Sequence, residues 1–196
     1  MRKPNISKPT PEIIKSYLKK WETLENYVLQ EKSLWILFHE AYPENKKIEH
    51  ILIKVSCLND FYSTNIFSPY IIAKHILGLD VDKYLAMGNV DVVNKIAKVK
   101  MPGGRIINFY SFASKYCSHH RPERYPIYDS YVEKMLIYFR KREKFYRFNK
   151  EDLHNYRKFI EILGHFKKFF GLYEYSLRDI DKYLWQAGKK YFPRKY

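Results

Sequence analysis

Hydrophobic side chains recur at steps of three and four residues along most of the chain, which is the period of an amphipathic helix. The pattern is clear between Ile14 and Val28, and Thr10 followed by Pro11 is a typical helix start. Glycine occurs seven times in 196 residues, and Asn-Gly and Asp-Gly turns are hardly present, which argues against a hairpin-rich β protein. The pattern therefore predicts an all-α protein of about nine helices.

The predicted helices follow from this spacing and from start and stop signals. Their approximate segments are 11–29, 33–41, 47–58, 68–79, 106–118, 129–144, 150–170 and 176–191, with two short segments around 81–86 and 90–99. Gly78 is the expected C-cap of the helix that contains it, and Ser176 with Asp179 predicts a capping box for the last helix. A tight turn at Pro102-Gly103-Gly104 is expected to join two helices directly.

The charge balance points to a polyanionic partner. Lys and Arg number 36 against 21 Asp and Glu, a formal net charge of +15. Residues 1–100 carry 15 basic and 11 acidic side chains, whereas residues 101–196 carry 21 and 10. A nucleic-acid face is therefore expected in the second half. The 19 tyrosines are not all read as base-stacking platforms, because the composition is that of a protein from an AT-rich genome.

The two cysteines, Cys57 and Cys117, have no neighbouring ligand pair, so neither a disulfide framework nor a metal site is predicted. No apolar run is long enough to span a bilayer. These features predict a soluble, cytoplasmic protein that needs no cofactor and no metal and does not enter a membrane. A monomer is the favoured oligomeric state.

The order of parts between residues 99 and 136 carries a family resemblance. A helix, the turn MPGGR (101–105), a second helix, a loop, and then YDSYV (128–132) at the head of a third helix follow one another. This order resembles the helix-hairpin-helix superfamily of base-excision DNA glycosylases, the group that includes endonuclease III. In that pattern Asp129 matches the catalytic aspartate. The early position of the family's lyase lysine is not matched, since the first lysine after the turn is Lys115.

The resemblance implies a fold and an activity. It implies two helical lobes, residues 46–126 and residues 1–45 plus 127–196, with Asp129 facing a cleft between them. Asp129 is expected to stabilise the sugar cation while a damaged or modified base is removed hydrolytically from duplex DNA. The segment 55–66 occupies the place of the loop that fills the gap left by the extruded base.

Candidate site residues follow from this pattern and from the basic side chains around it. Predicted nucleic-acid contacts are Lys98, Lys100, Gly103, Gly104, Arg105, His119, Arg121 and Arg124. Predicted base-pocket or duplex-plug residues are Asn59, Tyr62, Tyr128 and Tyr131. Glycine lets backbone N–H groups approach a phosphate closely, basic side chains add ionic contacts, and tyrosine rings can stack on a base.

Simpler interpretations stand beside these. Asp129 is also a good helix N-cap, although Ser130 and Glu133 predict a capping box that would leave it surplus. The glycine pair is equally a plain turn, and Tyr131 is equally a core residue. Two other functions therefore stay open: a non-catalytic DNA- or RNA-binding protein that kept the fold, and a helical interaction protein whose basic surface meets a protein or RNA.

Overall fold

The computed structural model describes residues 5–193, and this part of the chain is mostly helical. The α-helices are α1 Pro11–Glu22, α2 Glu25–Trp35, α3 Ile48–Tyr62, α4 Pro69–Leu79, α5 Val81–Ala86, α6 Asp91–Ala97, α7 Tyr110–His120, α8 Ser130–Glu143, α9 Tyr156–Phe169 and α10 Leu177–Tyr191. A π-helix continues α2, and a 3-10 turn precedes α9; they are Ile36–Ala41 and Glu151–His154. Strands β1 Lys98–Lys100 and β2 Ile106–Asn108 form an antiparallel pair. The predicted all-α class is confirmed at this coarse level.

Of the helix caps predicted from the sequence, those of the first and last helices are confirmed and the C-cap at Gly78 is wrong. The Thr10 hydroxyl caps α1 by accepting from Ile13 N, with Pro11 at the first helical position. Ser176 and Asp179 form the predicted capping box of α10. The C-cap of α4 is Asp80 in a left-handed conformation and not Gly78, which lies inside the helix.

Two helix predictions were wrong. The predicted helix 11–29 is broken at Thr23 into α1 and α2, and the second continues as a π-helix. The predicted helix from residue 106 begins at Tyr110, because Ile106–Asn108 pairs with Lys98–Lys100 as a β-strand. The backbone groups of these short segments are therefore satisfied across a hairpin, and the turn does not join two helices directly.

Contacts divide the chain into two compact units. Unit 1 is formed by the described residues of Met1–Leu24 and Tyr128–Tyr196, and unit 2 is Glu25–Ile127. The family resemblance implied that residues 25–45 belong with the chain ends. Their contacts put them in unit 2, because α2 packs on α3 and the π-helix packs on α7.

Each unit has its own apolar core. In unit 1, α10 packs against α1 and α8, with edge-to-face pairs between Trp21 and Trp185 and between Tyr17 and Tyr183. In unit 2, α3 packs on α4 and α6 packs on α7. No helix within residues 5–193 combines the length and the apolar character that a bilayer crossing requires.

Candidate nucleic-acid interface

The hairpin between α6 and α7 presents one side to solvent. Val99 is buried and pairs with the half-buried Ile107. The flanking pairs, Lys98 with Asn108 and Lys100 with Ile106, are all exposed. Since side chains alternate between the two faces of a strand, the lysines share the exposed face with Ile106, which is 66% accessible.

The glycines at the tip of the hairpin have a conformational role. Gly103 and Gly104 have φ angles of +86° and +87°, the region that side chains with a Cβ rarely adopt. A Cβ atom at either position would meet nothing within 4 Å. Backbone conformation and not crowding therefore requires glycine here, and the tip stays open for the approach of a ligand.

Among the described residues, no carboxylate pairs with the basic side chains of the hairpin. Asp91 and Glu123 are consecutive acidic residues in the sequence, so the whole hairpin lies in a stretch without a carboxylate side chain. Within residues 5–193, none of Lys98, Lys100 and Arg105 forms an ion pair with an acidic side chain. Three exposed cations are therefore available to an anionic partner.

The loop after α3 differs from the predicted duplex plug. The Asn59 side chain does not point outward as a wedge, because its amide donates to Ile66 O at 3.0 Å and its Oδ1 accepts from Thr64 Oγ1 at 2.9 Å and Ile66 N at 2.8 Å. These bonds hold the loop with Ile66 buried and Phe67 95% exposed. Phe67 is the protruding apolar residue of this loop, and the sequence pattern did not single it out.

The end of α7 and the loop that follows it contain predicted contacts of two kinds. His119 is buried in α7, and its Nε2 lies 2.9 Å from the hydroxyl of the half-buried Tyr62, so the His119 side chain is not exposed for a nucleic-acid contact. Arg121 and Arg124 are exposed, as predicted for phosphate contacts. Arg121 has one acidic neighbour, Glu123, at 3.7 Å.

Asp129 is the N-cap of α8. Its Oδ1 accepts from Tyr131 N at 2.8 Å, and the residue is half-buried. The predicted capping box from Ser130 to Glu133 does not form, because Asp129 takes the cap position and Glu133 turns to other partners. The Asp129 carboxylate therefore serves as the cap of α8.

Glu133 is the centre of a polar cluster in unit 1. It accepts a very short hydrogen bond from the Tyr128 hydroxyl and lies 3.0 Å from His154 Nε2 and 3.3 Å from Lys150 Nζ. Burial opposes ionisation, but the hydrogen bonds from Tyr128, His154 and Lys150 outweigh it and hold the Glu133 pKa below its usual range. Tyr128 is thus committed to an internal network and not to a base pocket.

Tyr131 is a packing residue. A Cβ atom built on Gly188 of α10 would lie 2.7 Å from Tyr131 Cβ and 2.8 Å from Tyr131 O. Helices α8 and α10 therefore approach so closely at this point that only glycine fits. The core interpretation of Tyr131 is the one that the geometry supports.

Comparison with known proteins places the chain in a family. Residues 13–124 match the family model described as the HI_0787_N N-terminal domain, which covers more than half of the chain. An uncharacterized protein of Haemophilus influenzae is 49% identical over 148 residues, covering 75% of this chain and 70% of the relative. The chain therefore belongs to the HI_0787_N family. No solved structure matches it. The matched segment contains α2 to α7 and the whole hairpin.

Proposed function

We propose that this protein binds nucleic acid, with duplex DNA as the preferred partner, and that the β1–β2 hairpin is its principal contact element. The observation that carries the proposal is the exposed hairpin with three uncompensated cations, Lys98, Lys100 and Arg105. Contacts of lysine and arginine with phosphates supply essentially all of the affinity of proteins for nucleic acid that does not depend on base sequence.

The geometry of the hairpin suits a groove. A two-stranded antiparallel ribbon fits within the major groove of B-form DNA. Lys98 and Lys100 stand on the exposed face for phosphate contacts, and Arg105 beside the glycine tip can reach a phosphate or a guanine edge. Ile106 and Asn108 on the same face offer one apolar and one hydrogen-bonding contact.

The charge distribution between the units supports a polyanionic partner. Residues 1–24 and 128–196 carry 23 basic and 11 acidic side chains, and residues 25–127 carry 13 and 10. Unit 1 therefore supplies most of the long-range attraction, whereas unit 2 supplies the ordered hairpin. Such a field raises the rate of encounter with an anionic partner and weakens as salt is added.

Phe67 is proposed to add an aromatic contact. The Phe67 side chain has 95% of its surface exposed. Removal of this apolar surface from water by a partner is favourable. Stacking of an aromatic ring on a nucleobase contributes about 1–3 kcal/mol. The Asn59 hydrogen bonds fix the backbone that carries Phe67, so this contact is pre-organised.

The direct test compares two triple variants with the same loss of charge. Lys98→Gln/Lys100→Gln/Arg105→Gln removes the hairpin cations, and Lys32→Gln/Lys47→Gln/Lys74→Gln removes three exposed lysines elsewhere in unit 2. In equilibrium binding to a 20-base-pair duplex, the hairpin variant is expected to lose at least about tenfold more affinity than the control. Equal losses in both variants would remove the hairpin from the proposal.

Base removal is a second candidate, motivated by the position of Asp129 at the head of α8. The resemblance implies that its carboxylate stabilises the sugar cation during N-glycosidic hydrolysis. Base release from a panel of lesion-bearing duplexes tests this activity, with Asp129→Asn as the comparison, because asparagine keeps the helix cap and removes the charge. Release by the wild type that is lost in Asp129→Asn supports the activity. Tight duplex binding without base release would indicate a non-catalytic nucleic-acid-binding protein.

A further inference from the structure

A cavity in unit 2 lies away from the hairpin in sequence and has its own chemistry. Its volume is about 320 Å³, near the lower end of the range of about 300–1,000 Å³ for small-molecule sites. The π-helix, the loop that follows it, α5 and the end of α7 all contribute to its walls. Its lining includes Phe38, His39, Lys46, Asp82, His120 and Arg121.

A fixed polar network holds the wall that includes Asp82. Asn45 donates from its backbone N–H to Asp82 Oδ2 at 2.8 Å and from its side-chain amide to Asp82 Oδ1 at 2.6 Å. The Asn45 Oδ1 in turn accepts from Lys54 Nζ at 2.6 Å and from the Tyr116 hydroxyl at 2.5 Å. Asp82 is therefore oriented by its neighbours before any ligand arrives.

His120 has a ring nitrogen with unused hydrogen-bonding capacity. His120 Nε2 lies 3.2 Å from Asn45 Nδ2 and 3.5 Å from Lys54 Nζ, both of which are donors. Nε2 must therefore accept, which places the proton of a neutral imidazole on Nδ1. Burial and the nearby Lys54 ammonium hold the His120 pKa well below its usual range, so the neutral form prevails.

The local backbone carries these rings into the cavity. Phe38 and His39 lie on the π-helix Ile36–Ala41, and π-helical turns are often found at functional sites. The Phe38 ring is buried and meets the His120 ring edge-to-face at a centroid distance of 4.8 Å. The His39 ring stacks on Trp35 at 3.8 Å, which fixes the ring plane.

The mouth of the cavity carries two exposed cations. Lys46 pairs with Glu44 at 2.7 Å, and Arg121 pairs with Glu123 at 3.7 Å. All four of these side chains are at least half exposed, and such surface pairs contribute little to stability. Either cation can therefore turn to a ligand anion at small cost.

We propose that this cavity binds a nucleoside monophosphate, with the base inside and the phosphate at the mouth. The interior offers an oriented carboxylate acceptor, Asp82, and an imidazole donor, His120, the two kinds of group that the edge of a nucleobase requires. The Phe38 and Leu85 side chains supply the apolar walls. Lys46 and Arg121 match the phosphate.

Other ligand classes fit less well. A simple inorganic anion does not account for the oriented Asp82 carboxylate, which would repel it. Among residues 5–193, no group of three or more His, Cys, Asp and Glu side chains is arranged to hold a metal ion. The mixed polarity of the walls favours a ligand with both donors and acceptors and with one anionic end.

Calorimetric titration of the full chain with AMP, GMP, CMP, UMP and inorganic phosphate tests the proposal. We expect at least one nucleotide to bind at least about tenfold more tightly than inorganic phosphate. Asp82→Asn and His120→Phe, the second of which keeps a ring against Phe38, are each expected to weaken the binding of that nucleotide by at least about tenfold. No detectable heat with any of the four nucleotides overturns the proposal, and so does inorganic phosphate binding as tightly as the nucleotides.

A matched pair of double variants tests the phosphate position without altering the interior. Lys46→Gln/Arg121→Gln removes the cations at the mouth, and Lys47→Gln/Lys83→Gln removes two exposed lysines that do not line the cavity. The first pair is expected to weaken nucleotide binding at least about tenfold and the second less than about twofold. Equal effects overturn the assignment. The cavity does not include the hairpin. The proposal that Lys98, Lys100 and Arg105 bind duplex DNA can therefore fail while the nucleotide proposal holds, and the reverse is also true.

Discussion

The Lys54 ammonium lies 2.6 Å from Asn45 Oδ1 in the interior of unit 2, and the Lys54 side chain is fully buried. Its Nζ also donates to the backbone oxygens of Tyr42 at 3.0 Å and Glu44 at 3.1 Å. A lysine from the middle of α3 therefore fixes the loop that follows the π-helix. Burial lowers its pKa to about 8, although Asp82 opposes the change.

Replacement of Lys54 by methionine is expected to destabilise the protein. The methionine fills a similar volume, but the two backbone oxygens lose their buried donor, and each such loss costs about 1–3 kcal/mol. We expect the free energy of unfolding to fall by about 2–4 kcal/mol. Denaturant titration measures it, with the exposed Lys47→Met as control. A Lys54→Met variant as stable as the control would show that the ammonium does not hold the loop.

The two glycines inside α9 and α10 should respond in opposite directions to alanine. Gly188→Ala places a Cβ against the Tyr131 backbone at under 3.0 Å, and overpacking of this kind costs about 1–3 kcal/mol. Gly164 has nothing within 4 Å, so Gly164→Ala should stabilise α9 by up to about 1 kcal/mol. Thermal unfolding of both variants checks the pair. A stabilising Gly188→Ala would contradict the close approach of α8 and α10.

Acid should destabilise unit 2 through His120. The folded state keeps this ring neutral, whereas the unfolded chain takes up a proton near the ordinary pKa of 6.5. The unfolded state therefore binds more protons as pH falls below 6.5, and stability decreases there by up to about 1.4 kcal/mol per pH unit. Above 6.5 this contribution is fully present.

Unfolding measured between pH 7.5 and pH 5 tests the His120 effect. The slope of stability with pH should be smaller in His120→Gln than in the wild type. The His120 account fails if the two proteins show the same slope.

The cap role of Asp129 predicts a simple order of stabilities. Asparagine caps a helix about as well as aspartate, whereas alanine leaves a first-turn N–H without its partner. Asp129→Asn should therefore stay within about 0.5 kcal/mol of the wild type, and Asp129→Ala should lose about 1 kcal/mol. Chemical denaturation resolves this difference. Equal stability of the alanine variant would mean that the hydrogen bond to Tyr131 N contributes nothing.

Features set by nearby residues were predictable from the sequence. Thr10 with Pro11 and Ser176 with Asp179 define helix ends through hydrogen bonds within one turn, so the chain itself contains the information. The hairpin was missed because each of its strands has three residues, too few to show a period of two. Ile106 and Ile107 were assigned to the following helix for the same reason.

Features set by distant residues were not predictable. The burial of Lys54 could not be predicted, because its contacts with Asn45 and Tyr116 form only in the folded protein. Phe67 is exposed because Asn59 holds its loop by three hydrogen bonds, and apolar residues are by default expected inside. The commitment of Glu133 to Tyr128 and His154 likewise depends on tertiary packing, which overrode the local capping pattern.

The salt dependence of duplex binding tests the central proposal most directly. Each phosphate neutralised by a protein cation contributes about −0.9 to the slope of log affinity against log salt concentration. If Lys98, Lys100 and Arg105 each contact a phosphate, their triple glutamine variant should have a slope smaller in magnitude by about 2.7 than that of the wild type. A steep wild-type slope that flattens by this amount is the predicted result. Wild-type and variant slopes that coincide, or wild-type binding that does not depend on salt, would contradict it.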